Sequence, residues 1–292
     1  MEDRGIRAWA AIRLTRPWFW PLGWGGAYLG WVLAAGQWVP SAREVPRAVA
    51  AGVVLGPLIW GAVLAVNDLH DLPSDRRNPR KSTAPLVTGV LTEADLARGF
   101  RWGGVAAVGV AVAAGPMFAA GTATVLLLGW LYSAPPARLK ARPGADVAVN
   151  ALVVGVLAPV AGWSLHRPVG EYPAVMAILG LLLAAALYLP TTVMDRDADV
   201  AAGDTTIAVR WTARACYLTG LALWTVANAL WLACCHLDLI VRRDSWTLQT
   251  VAAPILVAVY AVAARKPSIP RMAAVSVAFG IPATDFLVAA VG

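Results

Sequence analysis

Long apolar runs alternate with short polar segments along almost the whole chain. A helix needs about twenty apolar residues to cross the hydrocarbon core of a bilayer. By that measure the chain holds nine candidate spans, near residues 17–36, 47–66, 96–114, 117–133, 146–164, 173–193, 214–235, 248–264 and 271–290. Only Gly115-Pro116 separates the third from the fourth. At about 1.5 Å of rise per residue, one helix of their combined length would overshoot a single crossing, so the pattern predicts a break there. The expected fold class is all-α, a polytopic membrane bundle of nine transmembrane helices.

Composition agrees. Only 14% of the 292 residues are charged and 59% are hydrophobic, against about 25% charged in a soluble domain. The first apolar run follows Arg4, Arg7, Arg13 and Arg16 and is too long for the core of a cleavable leader, so it is expected to stay in the membrane. Cys216, Cys234 and Cys235 have neither the spacing nor the partners of a zinc set, and three cysteines do not make a disulfide framework. They read as small apolar residues on helices.

The formal net charge of +7 does not point to nucleic acid, because the basic residues follow loop parity and form no basic-aromatic stripe. Arginine and lysine gather before span one and in the loops after spans two, four, six and eight. The other loops hold only Arg43, Arg47, Arg167, Arg242 and Arg243. This asymmetry predicts a cytoplasmic N-terminus and, with nine crossings, an outer C-terminus. In a bacterium the membrane would be the plasma membrane. No linker divides the chain, so one domain, 1–292, is expected, with two topologically related halves at roughly 1–133 and 134–292.

Acidic residues collect at two helix ends on the predicted cytoplasmic side. After span two come Asn67, Asp68, Asp71 and Asp75; after span six come Asp195 and Asp199, with Asp204 nearby. Spacings of three and four place each set on one helix face. Hard oxygen ligands at this density suit Mg²⁺, which is commonly shared with substrate phosphates. Without cations such sets repel one another at a bilayer edge. The plainer reading, solvated loop charges, explains one aspartate better than two matched sets.

Arg76, Arg77, Arg80 and Lys81 follow the first acidic set, and Tyr132, Arg138 and Lys140 lie in the next cytoplasmic loop. Lysine and arginine beside a metal-bound phosphate stabilise charge on a departing diphosphate. Arg80, Lys81 and Lys140 are the preferred candidates, although topology alone accounts for some of these charges. Among fourteen tryptophans, most suit interface anchoring or packing. Trp60, up to two turns before Asn67, is the best candidate to offer its ring face to a cation. Asp146 and Asn150 share a face at the start of span five and either orient an acceptor or cap the helix. Asp285, an acid late in span nine, is a further polar flag.

Asn67-Asp68-x-x-Asp71-x-x-x-Asp75 and Asp195-x-x-x-Asp199, the latter followed by Gly203 and Thr205-Thr206, resemble the two aspartate motifs of the UbiA superfamily of intramembrane prenyltransferases. The segment Tyr132 to Lys140 is similar to the family's tyrosine-lysine segment, at longer spacing. Ala84, ahead of Pro85-Leu86, stands where many members have arginine. The resemblance runs from Arg16-Pro17 to the ninth span. It implies a helical bundle around a central cavity, two Mg²⁺ ions, an isoprenyl diphosphate donor and a lipophilic acceptor, aromatic or isoprenoid, within membrane lipid. The metal set would be Asp68, Asp71, Asp75, Asp195 and Asp199, with Lys140 beside it. Asn67, Arg80, Lys81, Tyr132 and Arg138 would hold the diphosphate, and Trp60, Asp146 and Asn150 would line the acceptor or cation pocket.

The expected activity is Mg²⁺-dependent prenyl transfer in isoprenoid biosynthesis. One alternative is a terpene cyclase of the same superfamily, in which the cation is attacked by its own chain. Another is a secondary transporter, whose coupling acids would sit near the midplane at broken helices rather than at helix ends beside a basic loop.

Overall fold

The computed structural model describes residues 2–77 and 81–292, and among them it contains helices, turns and no strand. Thirteen α-helices follow one another among the described residues. α1 (Glu2–Leu14), α2 (Trp20–Ala35), α3 (Val45–Val53), α4 (Ile59–Asp75), α5 (Glu93–Ala114), α6 (Pro116–Ser133) and α7 (Ala145–Leu152) come first. Then come α8 (Ala158–Trp163), α9 (Ala174–Ala202), α10 (Ile207–Arg210), α11 (Ala213–His236), α12 (Trp246–Ala263) and α13 (Ile269–Val291). π turns join α3 to α4 and α7 to α8, so each pair forms one long helix, Val45–Asp75 and Ala145–Trp163.

Helices form at all nine expected spans, and seven of them are long and apolar enough to cross a membrane. The other two are α2 and α5. α2 has sixteen residues, a rise of about 24 Å against the roughly 30 Å hydrocarbon core. α5 opens with Glu93, Asp95, Arg98 and Arg101. The predicted break at 115–116 is present: Gly115 ends α5 at φ 140°, and Pro116 starts α6 where its missing N–H costs nothing. The first turn of α5 is fixed by a reciprocal cap in which Thr92 and Asp95 satisfy each other's backbone N–H groups.

The chain divides into two compact units. The first comprises Met1–Trp31, Val39–Lys140 and Leu157–Val169, and the second Val32–Trp38, Ala141–Val156 and Gly170–Gly292. In the first, α4 packs against α5 and α6, and α1 lies along α4. The apolar pattern predicted no α1, because arginines interrupt it. Its Ala10 and Leu14 are nonetheless buried with Leu72, Leu86, Leu91 and Leu96, and Arg7 reaches Asp95 at 2.6 Å. α2 crosses α8 so closely that a Cβ on Gly162 would collide with the Ala27 carbonyl, and one on Gly30 with that of Pro159. In lipid, where apolar burial between helices gains little, such close contact is a main source of association. The π turn before α4 contains Pro57, which lacks a backbone N–H, and Gly56, packed against the Trp24 ring.

In the second unit α9 packs against α7 and α11, α11 against α12, and α12 against α13. Its core is Trp224 stacked on Tyr260 with ring centres 5.2 Å apart. Both rings spend their polar atoms on backbone: Trp224 donates to the Leu256 carbonyl (3.1 Å) and Tyr260 to that of Ala186 (2.7 Å). A membrane interior offers no water for such groups, so they bond within the protein. Asp285 is met the same way, accepting from Gln249 Nε2 at 3.0 Å while Trp231 donates to Gln249 Oε1 at 2.8 Å.

Candidate active site

The last two turns of α4 carry the first acidic set, and three separate segments bring cations to it. From the turn after α1, Arg16 Nη2 donates to Asp68 Oδ1 at 2.8 Å. From the segment after α4, Lys81 Nζ lies 3.3 Å from Asp75 Oδ2 and 3.7 Å from Asp68 Oδ1. From the segment after α6, Lys140 Nζ donates to Asp71 Oδ2 at 2.6 Å and Asn67 Oδ1 at 2.9 Å. Arg138 Nη2 is 3.5 Å from Asp71 Oδ1. Ser133, at the end of α6, adds a hydroxyl to Asn67 Oδ1 at 3.3 Å.

Among the described residues, three carboxylates thus face four cations at this helix end. The Asp68 side chain is only 6% exposed, so its charge is held by partners rather than by solvent. The surplus positive charge suits an anion, and the carboxylates offer hard oxygens to a divalent ion. Each carboxylate is turned toward a lysine or arginine, and among the described residues no three acidic, histidine or cysteine side chains converge as a metal set.

Arg16 and Arg138 share an uncommon feature. Both have left-handed backbones, at φ 48° and 36°, where a side chain costs about 1–2 kcal/mol relative to the right-handed region. In both cases the guanidinium ends on an aspartate of the motif. Strain held at such positions accompanies function. The sequence marked Arg16 as a topological charge and as the start of the family resemblance, not as a site residue, and gave Ser133 no role. The signal for Arg16 was its place before Pro17, which opens a short 3₁₀ turn and fixes the chain's direction.

Tyr132 is half-buried in the last turn of α6, next to Ser133. Trp60 lies in the first turn of α4, its ring 5.3 Å from that of Phe19. Arg80 lies outside the described residues.

The second acidic set occupies the last turns of α9 in the other unit. Asp195 is exposed and Asp199 half-buried. Gly203, at φ 79°, ends the helix, and the chain then folds back so that Thr206 Oγ1 donates to Asp199 Oδ2 at 2.9 Å. The fold-back is tied down twice more: Thr205 Oγ1 donates to the Ala141 carbonyl (2.8 Å), and Arg196 Nε to that of Ala208 (3.1 Å). Asp146, 1% exposed, accepts from the Ile207 backbone N–H at 3.1 Å. It therefore caps the start of α10, while Gly144 occupies the N-cap of its own helix. Asn150 Nδ2 donates to the Asp146 carbonyl at 2.8 Å.

The profile of the UbiA prenyltransferase family matches residues 18–279. The chain belongs to that family. Solved structures of similar fold include a UbiA homologue from Archaeoglobus fulgidus bound to GPP and Mg²⁺. It is 23% identical, with a TM-score of 0.75 over 97% of this chain and 99% of that one. A digeranylgeranylglyceryl phosphate synthase is 14% identical, with a TM-score of 0.74 over 100% and 99%. A UbiA homologue from Aeropyrum pernix K1 in its apo form is 19% identical, with a TM-score of 0.62 over 96% and 97%. At these identities the likeness is one of fold. Among curated proteins none matches the chain. As a UbiA family member with seven helices able to cross a bilayer, this is an integral membrane protein.

Proposed function

We propose that this protein transfers an isoprenyl group from its diphosphate to a lipophilic acceptor within the membrane, using Mg²⁺. The observation that carries the reading is the end of α4, where Asp68, Asp71 and Asp75 meet Arg16, Lys81, Arg138 and Lys140. A helix end with hard oxygen ligands and a cationic surplus suits a metal-bound diphosphate better than a bare cation or a bare anion. The A. fulgidus homologue, bound to GPP and Mg²⁺, supports the same assignment.

Mg²⁺ would be held by Asp68, Asp71, Asp75, Asp195 and Asp199 and would neutralise the diphosphate as the allylic C–O bond ionises. Lys140, Lys81 and Arg138 would move from their carboxylate partners onto phosphate oxygens and stabilise the leaving group, and Arg80 is proposed to join them there. Arg16 would do the same from the opposite end of the sequence. Asn67 and Tyr132 would complete the diphosphate contacts. Trp60 would offer its π-face to the allylic cation, and apolar helix walls would keep water from it. A nucleophilic carbon of the acceptor would form the new bond. Asn150 remains a candidate for the acceptor pocket. The arginine-rich loops favour a cytoplasmic N-terminus and cytoplasmic acidic motifs, with the C-terminus outside.

The test is incubation of purified protein with geranyl, farnesyl or geranylgeranyl diphosphate, with and without a lipid extract, followed by mass spectrometry. A prenylated lipid and released diphosphate, both abolished by EDTA, are expected. A terpene hydrocarbon formed from donor alone would establish the cyclase alternative. No diphosphate from any donor would overturn the reading.

A further inference from the structure

Asp146 is an acid placed at a cost. It is 1% exposed, and its Oδ1 is buried with no hydrogen-bond partner. A buried carboxylate is unfavourable unless polar groups around it offset its desolvation. Its position in the first turn of α7, near amides with partial positive charge, relieves part of that cost. It also accepts across 61 residues of sequence, from the backbone N–H of Ile207 at 3.1 Å.

Ile207 immediately follows Thr206, and Thr206 Oγ1 donates to Asp199 Oδ2 at 2.9 Å. The preceding residue, Thr205, is pinned by its N–H and its hydroxyl, both donating to the Ala141 carbonyl at 3.2 and 2.8 Å. Asp204 N donates to the Asp199 carbonyl at 3.0 Å. The fold-back after α9 is therefore held on both sides of Thr206, by Ala141 before it and by Asp146 after it. The effect is to fix one hydroxyl against one oxygen of a motif aspartate. A carboxylate that accepts a hydroxyl on Oδ2 has its rotamer set and its other oxygen left for a metal. This is how groups behind a metal ligand raise its affinity, commonly by about 10–100-fold.

We propose that Asp146 is a positioning residue for the second metal-binding motif, acting through Ile207 N and Thr206 Oγ1 on Asp199. The inference rests on the prenyltransferase reading and replaces the role of acceptor contact for this residue. Asp146 touches neither metal nor substrate in this account. What matters is its acceptor oxygen, not its charge. Asparagine, which keeps a carbonyl oxygen for Ile207 N, substitutes for it. Alanine does not.

The experiment is binding of Mn²⁺ in the presence of inorganic pyrophosphate to the purified full-length protein, followed by electron paramagnetic resonance and calorimetry. The Mg²⁺ concentration giving half-maximal diphosphate release from geranyl diphosphate is measured alongside. Asp146→Ala and Thr206→Val are each expected to weaken Mn²⁺ binding by about tenfold or more and to raise the Mg²⁺ requirement in step. Saturating Mg²⁺ should restore much of the turnover. Asp146→Asn and Thr206→Ser should stay close to the parent protein, and the double variant Asp146→Ala with Thr206→Val should bind no worse than the weaker single one.

If Asp146→Ala or Thr206→Val binds Mn²⁺ as the parent does, the positioning role is wrong. If Asp146→Asn fails as badly as Asp146→Ala, the charge itself is needed and the inference is overturned. Should Asp146→Ala not fold, the Asp146→Asn and Thr206 variants decide. A parent protein that binds no Mn²⁺ with pyrophosphate would instead sink the prenyltransferase reading beneath it.

Discussion

Lys140 Nζ stands 2.6 Å from Asp71 Oδ2, joining the segment after α6 to the end of α4 across 69 residues of sequence. The lysine side chain is 11% exposed and the aspartate 18%, so solvent screens the pair only partly. In the proposed reaction this ammonium is the nearest cation to Asp71 and shifts to the diphosphate. Lys140→Met should reduce diphosphate release about a hundredfold, in the range seen when one preorganised donor to a developing charge is removed. Steady-state kinetics with geranyl diphosphate would show it. Arg138 also reaches Asp71, so the variant should still fold, as size-exclusion profiles would report.

Arg16 offers a separation of strain from charge. Its φ of 48° favours glycine, while its guanidinium holds Asp68. Arg16→Ala and Arg16→Gly should both lose activity, since neither carries the cation. Arg16→Gly should be the more stable of the two by about 1 kcal/mol, the cost of a Cβ in the left-handed region. Thermal unfolding in detergent measures the difference, and equal stabilities would show that the backbone is not strained there.

Asp95 supplies a pH dependence. Hydrogen bonds from the Thr92 backbone N–H and hydroxyl, with Arg7 and Arg98 nearby, hold its carboxyl down at about 2. The folded value lies below the ordinary carboxylate value. Its stabilising contribution is therefore complete above the ordinary value and disappears as the pH falls toward 2. Asp95→Asn should lower stability at neutral pH by about 1 kcal/mol, a typical cost for a lost cap. The gap to the parent protein should shrink as the pH is lowered from about 4 toward 2. A gap independent of pH would contradict the cap.

The crossing of α2 and α8 predicts intolerance of a single methyl group. A Cβ on Gly162 meets the backbone carbonyl of Ala27, which no side-chain rotation can relieve. Gly162→Ala should destabilise the protein by about 1–3 kcal/mol, the usual cost of overpacking. Gly170→Ala, where a Cβ meets nothing within 4 Å, is the matched control in the same thermal assay.

What could be read from the sequence followed the range of the physics involved. Helices appear at all nine expected spans because apolar length is a local signal, and the Gly115-Pro116 break was visible because those residues act on their own backbone. α1 was not visible: its arginines break the apolar pattern, and its burial depends on Leu72, Leu86 and Leu96, far along the chain. The two acidic sets stood out by spacing alone. Of their partners, Lys81, Arg138 and Lys140 were visible as basic residues in the neighbouring loops, while Arg16, which meets Asp68 across 52 residues, was not, and neither was the bond from Ile207 to Asp146 across 61. Asp146 could be read as an acceptor contact or as a cap for its own helix, and its carboxylate accepts from the first residue of α10. The π turn at 54–58 combines Pro57 with the Trp24 contact on Gly56, and only the proline is local.

The proposed activity requires both acidic motifs for magnesium-dependent diphosphate release. The most direct measurement is Mg²⁺-dependent diphosphate release from geranyl diphosphate by Asp71→Asn, Asp195→Asn and the double variant, each checked for unchanged elution and melting. Each single variant should lose about a hundredfold or more, and the double variant should lose little beyond that, because either loss alone already disables the reaction. Normal release by either single variant, or two modest losses that simply multiply in the double, would contradict it.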